Sequence, residues 1–256
     1  MAQIKAKIIS NLRFRENYWH LEVEAGLIAK QASAGQFVNI RVTDGEAPLL
    51  RRPFSIHGVK AQKIKVIYEV LGKATQVLSG KKSGEFLDII GPLGNGFNYR
   101  GSVKSKTGEN ILIAGGMGVA PLVFLAEKLK LSKPLVLIGA RTKKNILCTQ
   151  EIKALGCELK IATDDGSLGF KGRVTDLLKT VLEQSKPREL FSCGPQPMLK
   201  AVSEITNDNK INAQLSLEEH MSCGIGACLG CVVATKTGYK TVCKDGPVFF
   251  SEELVW

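Results

Sequence analysis

Four cysteines crowd one short stretch of this 256-residue chain and constrain its fold more than any other feature. Cys223, Cys228, Cys231 and Cys243 follow the spacing C-x4-C-x2-C-x11-C. Thiols this close along a chain can converge on one centre. Gly224, Gly226 and Gly230 let the intervening loop wrap tightly and turn backbone N–H groups toward sulfur. A disulfide framework does not fit, because the seven cysteines are odd in number and Met1–Lys7 leads into no apolar signal stretch.

The spacing is that of a plant-type [2Fe–2S] site. Two alternatives stand beside it. Zinc ribbons show paired C-x2-C steps, whereas here the first gap is four and the last cysteine stands alone. Unligated thiols are the other.

Composition narrows the remaining choices. A hydrophobic fraction of 44% supplies a real core and excludes disorder. No apolar run approaches the roughly 20 residues of a membrane span, so no membrane partner is expected. The formal charge of +11 is scattered, without like-charge runs or interleaved aromatics. That argues against nucleic acid and for phosphate-bearing cofactors or an acidic partner.

The length suits two domains and an appendage. Residues 1–100 read as an antiparallel β-barrel. Tyr18–Glu24, Gln36–Val42 and Lys63–Val70 alternate polar and apolar residues, with glycines and prolines between them. The polar stretch 101–108 reads as a boundary. Residues 101–211 read as an α/β domain with an open parallel sheet. Its strands are expected at Asn110–Ala114, Pro134–Gly139, Glu158–Ala162 and Arg188–Ser192, and its helices at Leu122–Leu129 and Pro197–Thr206. Residues 212–256 form a small third section, with a strand at Ala213–Leu217 and the cysteines.

Several motifs carry candidate chemistry. Arg52 offers a donor fork suited to a pyrophosphate, Pro53 stiffens the segment, and Ser55 can hydrogen-bond a flavin edge. Ile67, Tyr68 and Glu69 can set a ring and polar groups against a nucleotide. Gly72-Lys73-Ala74-Thr75 opens a helix whose N–H groups favour phosphate. Gly115, Gly116 and Gly118 lie between a buried strand and a helix, where glycines admit a pyrophosphate. Cys193 and Gly194 end another strand, on the edge where open α/β sheets bind ligands. Asp164 ends a third and suits the ribose hydroxyls of NAD, while Arg141, Lys143 and Lys144 argue for NADP; NAD is the expectation. Each motif also has a structural reading: a solvated strand end, a tight turn, or a small buried thiol. His20, His57 and His220 show no triad or metal spacing and are expected to be surface or packing residues.

The order Arg52-Pro53-Phe54-Ser55, then Gly115-Gly116-Met117-Gly118-Val119-Ala120-Pro121, then Cys193-Gly194-Pro195-Gln196-Pro197-Met198 resembles the ferredoxin–NADP reductase superfamily. With the C-terminal cysteine motif, the whole chain is similar to the family of class 1B dihydroorotate dehydrogenase electron-transfer subunits. Leu50–Ile56, Gly91–Phe97 and Thr163–Gly166 support the match. The resemblance implies an FAD-binding β-barrel, an NAD-binding α/β domain and a [2Fe–2S] domain. It assigns FAD to Arg52, Pro53, Phe54, Ser55, Ile67, Tyr68, Glu69, Ala74 and Thr75, and the cluster to the four cysteines. It implies a cytoplasmic heterotetramer, two copies of each subunit, in pyrimidine (UMP) biosynthesis. There electrons pass from the FMN of a catalytic subunit through [2Fe–2S] and FAD to NAD⁺. No catalytic base is expected in this chain; dihydroorotate oxidation belongs to the partner. Ala74 and His220 depart from the family, which often has Gly and Arg there. Competing readings are an NAD(P)H:ferredoxin oxidoreductase or sulfide dehydrogenase subunit, a zinc-stabilised nucleotide-binding module, and a scaffold whose flavin site has decayed.

Overall fold

A computed structural model describes residues 1–103 and 109–256. Of the expected boundary, residues 104–108 lie outside the described residues.

Alternation builds the first unit. β1 (Ala2–Arg15) buries Ala6 and Ile8 and exposes Lys5 and Lys7, the period-two signature of a strand with one wet face. It pairs antiparallel with both β2 (Tyr18–Glu24) and β7 (Phe86–Leu93). β3 (Phe37–Arg41), β4 (Arg52–Ser55), β5 (Gly58–Lys60) and β6 (Lys63–Glu69) complete a seven-stranded sheet, order β4-β3-β7-β1-β2-β6-β5. Helices α1 (Gly26–Gln31) and α2 (Lys73–Ser79) lie in its connections. The expected barrel is a half-barrel. Its edge strands β4 and β5 do not pair; they are joined only through the chain at Ile56 and His57.

The second sheet follows the continuous apolar runs. β8 (Asn110–Gly115) is buried along its whole length, and β9 (Leu135–Ala140) nearly so. With β10 (Glu158–Thr163), β11 (Phe170–Lys171), β12 (Glu189–Cys193) and β13 (Asn212–Ser216) they form a parallel array, order β11-β10-β9-β8-β12-β13. Around it lie α3 (Val119–Lys128), α4 (Thr149–Ala154), α5 (Val174–Gln184) and α6 (Gln196–Asp208). α3 buries every residue from Val119 to Ala126, because it is sandwiched between the sheet and the half-barrel. Each large apolar side chain buried this way contributes roughly 1.5–3 kcal/mol.

In the third section, β14 (Val232–Thr235) and β15 (Gly238–Thr241) form a hairpin. β16 (Val248–Phe250) adds antiparallel to β13. The expected division at 211/212 therefore does not coincide with a sheet boundary: β13 and β16 extend the parallel sheet. The core is shared accordingly, since Cys231, Val242, Cys243 and Phe249 cluster with Ile111, Leu190 and Leu215. Among the described residues no helix is long and apolar enough to cross a membrane.

Candidate functional site

A cleft of about 1290 Å³ runs between the half-barrel, the carboxyl edge of the parallel sheet and residues 216–221. An ordinary single-ligand pocket holds roughly 300–1,000 Å³, so this one has room for two nucleotides.

The half-barrel wall comes from β4 (Arg52, Pro53, Phe54, Ser55), the end of β6 (Ile67, Tyr68, Glu69) and Thr75. Arg52 Nη1 donates to the carbonyls of Leu50 (2.8 Å) and Arg51 (3.2 Å), which folds the guanidinium back along its own strand. Arg51 anchors this segment to β7, donating to the Asp88 carboxylate at 2.8 Å and to the Asp88 carbonyl at 2.9 Å. Burial raises the Asp88 carboxyl, but the hydrogen bonds from Arg51 and Gln3 outweigh it and hold it below the usual range. The Tyr68 ring is a core group. It stacks near Trp19, meets Phe54 edge-on, and donates its hydroxyl to Asn11 at 2.9 Å. Thr75 Oγ1 accepts from the Leu71 and Gly72 N–H groups and so closes the first turn of α2. Ala74 does not line the cleft, because its methyl is buried in the core beneath that turn.

The opposite wall is made by Gly115, Gly116, Met117 and Gly118, with Asp164 and Cys193. These motifs meet because β8, which precedes the glycines, pairs with β12, which ends at Cys193. The contact is so close that a Cβ on Gly118 would overlap the Cys193 carbonyl, and one on Gly115 would lie 2.6 Å from Met198 Sδ. Gly194 packs behind, against Gly115, and does not line the cleft. Cys193 is fully buried; burial first, then the Glu218 charge, pushes its thiol well above the usual range. Asp164 is exposed, with Arg141 and Arg173 on the same wall.

The cluster loop abuts this cleft through Glu218, Glu219, His220 and Met221, which line it and lead directly to Cys223. Cys223 Sγ accepts from the N–H groups of Ile225 (3.5 Å) and Ala227 (3.3 Å), and Cys243 Sγ from that of Gly226 at 3.0 Å. Cys243 N–H donates to Cys231 Sγ at 3.4 Å. Gly224 adopts φ +70° and presses on β3, where Asn39 Nδ2 donates to the Cys223 carbonyl at 3.1 Å. Burial raises the Cys223 thiol, but the N–H donors dominate and bring it to about 6. Burial and the neighbouring Cys231 carry Cys243 up to about 12. Sulfur-directed N–H groups around gathered thiols fit an iron–sulfur cluster, which is tuned by such bonds.

Residues 218–255 match the iron-sulfur cluster binding domain of dihydroorotate dehydrogenase B, and residues 112–204 match the oxidoreductase NAD-binding domain. The dihydroorotate dehydrogenase B (NAD(+)) electron transfer subunit of Desulforamulus reducens is 40% identical, covering 98% of this chain and 97% of its own. The chain belongs to that family. The protein of the same description from Bacillus velezensis is 39% identical over 99% of both chains. A solved NADH-dependent reduced ferredoxin-NADP oxidoreductase structure, studied for flavin-based electron bifurcation, is 30% identical with a TM-score of 0.85. It covers 99% of this chain and 90% of that one.

Within this family's frame, the cleft also gathers residues that sequence reasoning passed over. Tyr18, Asn145, Arg173 and Glu218 all line it. Glu218 follows β13 at a strand's carboxyl end, a position that was a usable signal. Arg173 had none, because the bend before α5 brings it round. His57, expected to be a packing residue, is buried with both ring nitrogens engaged. Nδ1 lies 2.9 Å from the Ala120 carbonyl and Nε2 lies 3.3 Å from Glu151 Oε1. His20 is partly buried against it, edge to face, and His220 is exposed on the cleft rim.

Proposed function

We propose that this chain is the electron-transfer subunit of an NAD-dependent dihydroorotate dehydrogenase in pyrimidine (UMP) biosynthesis. It draws electrons from a separate FMN-containing catalytic subunit and delivers them to NAD⁺. The carrying observation is continuity: residues 218–221 are at once a wall of the cleft and the lead-in to the cysteine loop. Both centres therefore adjoin within one frame.

Cys223, Cys228, Cys231 and Cys243 would hold a [2Fe–2S] cluster. The β4 segment, Ile67, Tyr68, Glu69 and Thr75 would hold FAD, with Ala74 contributing through backbone position, while Gly194 would support the NAD side by packing behind Gly115. Gly115, Gly116 and Gly118 would admit the NAD pyrophosphate against the backbone. When bound, the cluster supplies one-electron transfer and the flavin converts single electrons into a hydride. The protein orients these groups and excludes water. Pro53 and the Arg51–Asp88 anchor keep β4 in place. Asp164 accepts from ribose hydroxyls and repels a 2′-phosphate. Arg141 and Arg173 offset phosphate charge. The buried Cys193 stays a thiol and serves as packing beside Gly118. No side chain lining the cleft is required as a base. We place the assembly in the cytoplasm, with two copies of each subunit.

The test is reconstitution with an FMN-containing catalytic subunit. The pair should reduce NAD⁺ with dihydroorotate, whereas the chain alone should oxidise NADH only with artificial acceptors. Orotate formation by the chain alone would overturn this division of labour.

A further inference from the structure

Outside the cleft and the cluster loop, the described residues gather another set of metal-type donors. His57, Cys148 and Glu151 each place one donor atom within 4.8 Å of the others. They come from the two halves of the molecule. His57 lies in the link between β4 and β5. Cys148 immediately precedes α4, and Glu151 lies in its first turn.

Hydrogen bonding fixes the role of each atom. The Ala120 carbonyl, 2.9 Å from His57 Nδ1, can only accept, so Nδ1 carries the proton. Nε2 then directs its lone pair at Glu151 Oε1, 3.3 Å away. Between these two atoms a proton or a metal ion can be held. A proton there serves only the His57–Glu151 pair, while the nearby Cys148 thiol faces the same carboxylate. A metal ion uses all three donors. Imidazole held through Nδ1–H by a backbone carbonyl is the usual support of a ligating histidine. In a tetrahedral site with bonds of about 2.0–2.1 Å, nitrogen and oxygen ligands stand roughly 3.3–3.4 Å apart, which the observed pair already matches. The mixed nitrogen, sulfur and oxygen set suits zinc and disfavours magnesium or calcium, which take oxygen alone.

We propose that His57, Cys148 and Glu151 bind a zinc ion that clamps the half-barrel to the parallel-sheet unit. The ion forms bonds to Nε2, Sγ and Oε1; the Cys148 S–H bond breaks and its proton passes to solvent. Thiolate and carboxylate together neutralise Zn²⁺, so the buried imidazole meets no net charge. Glu151 is 46% exposed, which leaves a path for the ion and a water for the fourth position. Because His57 lies two residues beyond the end of β4, the clamp braces the strand that carries Arg52 and Ser55.

The test is isothermal titration of Zn²⁺ into the full chain, loaded with its cluster and flavin and freed of chelator. Loading occupies the four loop cysteines in advance. One zinc per chain should bind, with a heat that depends on buffer ionisation, as proton release requires. Cys148→Ser and Glu151→Gln should each weaken binding about 100-fold or more, with iron content, flavin absorbance and NADH oxidation unchanged. Zinc should raise the melting temperature of the parent chain alone. Absence of saturable binding would overturn the proposal. So would binding that either variant retains at full strength. Glu151→Gln keeps the volume of a half-exposed residue, so it reports even if Cys148→Ser folds poorly.

Discussion

The cluster loop takes its thiols from residues 223–243, whereas the cleft takes its lining from Tyr18 through to Pro247. The loop depends on local backbone geometry. Gly224 sits at φ +70° so that neighbouring N–H groups can reach sulfur. The cleft depends on distant strands lying side by side, as where Gly118 meets the Cys193 carbonyl. Short closures cost little entropy and can be read from spacing; long closures become favourable only through the packing they permit. A defect in the loop should therefore remove one centre and leave the rest, whereas a defect in the cleft should be felt as stability and as nucleotide binding together.

Substitution of a thiol should have the largest effect. Cys223→Ser should strip the cluster and cut partner-driven NAD⁺ reduction by about 100-fold or more, while NADH oxidation with an artificial acceptor survives. Iron analysis and the two assays check it, and parallel loss of both activities would break the distinction between the regions. Matched glycine substitutions come next. Gly118→Ala should cost about 1–3 kcal/mol in denaturant unfolding and weaken NADH turnover with iron content intact, because its methyl has no space. Gly224→Ala should cost a similar ~1–3 kcal/mol but lower iron content instead, since it combines a left-handed φ with contact against Asn39. Asp164→Ala should shift the kcat/KM ratio of NADH to NADPH about 10-fold toward NADPH, or roughly 1.4 kcal/mol. An unchanged ratio would assign nucleotide choice to Arg141 and Arg173.

The smallest effect concerns the anchor of β4. The Asp88 carboxyl is lowered in the folded chain, so it contributes stability above the ordinary aspartate range. That contribution is lost as pH falls through the lowered folded value. Arg51→Ala should remove about 1 kcal/mol at pH 7 and less near pH 3, where the parent pair is itself failing. Urea melts at both pH values read this directly; an equal loss at both would mean that Arg51 acts through packing.

Much of the architecture was legible because its periods are local. His20–Glu24 and Lys63–Val66 alternate over one wet face, and Ile111–Gly115 is an unbroken apolar run because both faces of β8 are covered. In β1 the alternation of Gln3–Ile8 is a weaker signal, because its apolar positions include the small Ala6. The sheet continues across 211/212 because strand pattern does not name a partner. Ala213–Leu215 reads the same whether it pairs with β12 or founds a separate unit.

The cysteine spacing and the strand-ending glycine motifs determined the chemistry this chain can host, since ligand type and backbone freedom are properties of the residues themselves. Tertiary structure decided which motifs share a wall. It brought Arg173 and Glu218 to the cleft, turned Ala74 and the Tyr68 ring into the core, and set His57 against Glu151 across 94 positions of sequence. Those outcomes follow from sheet order and from the burial of α3 between two units, which no local pattern encodes.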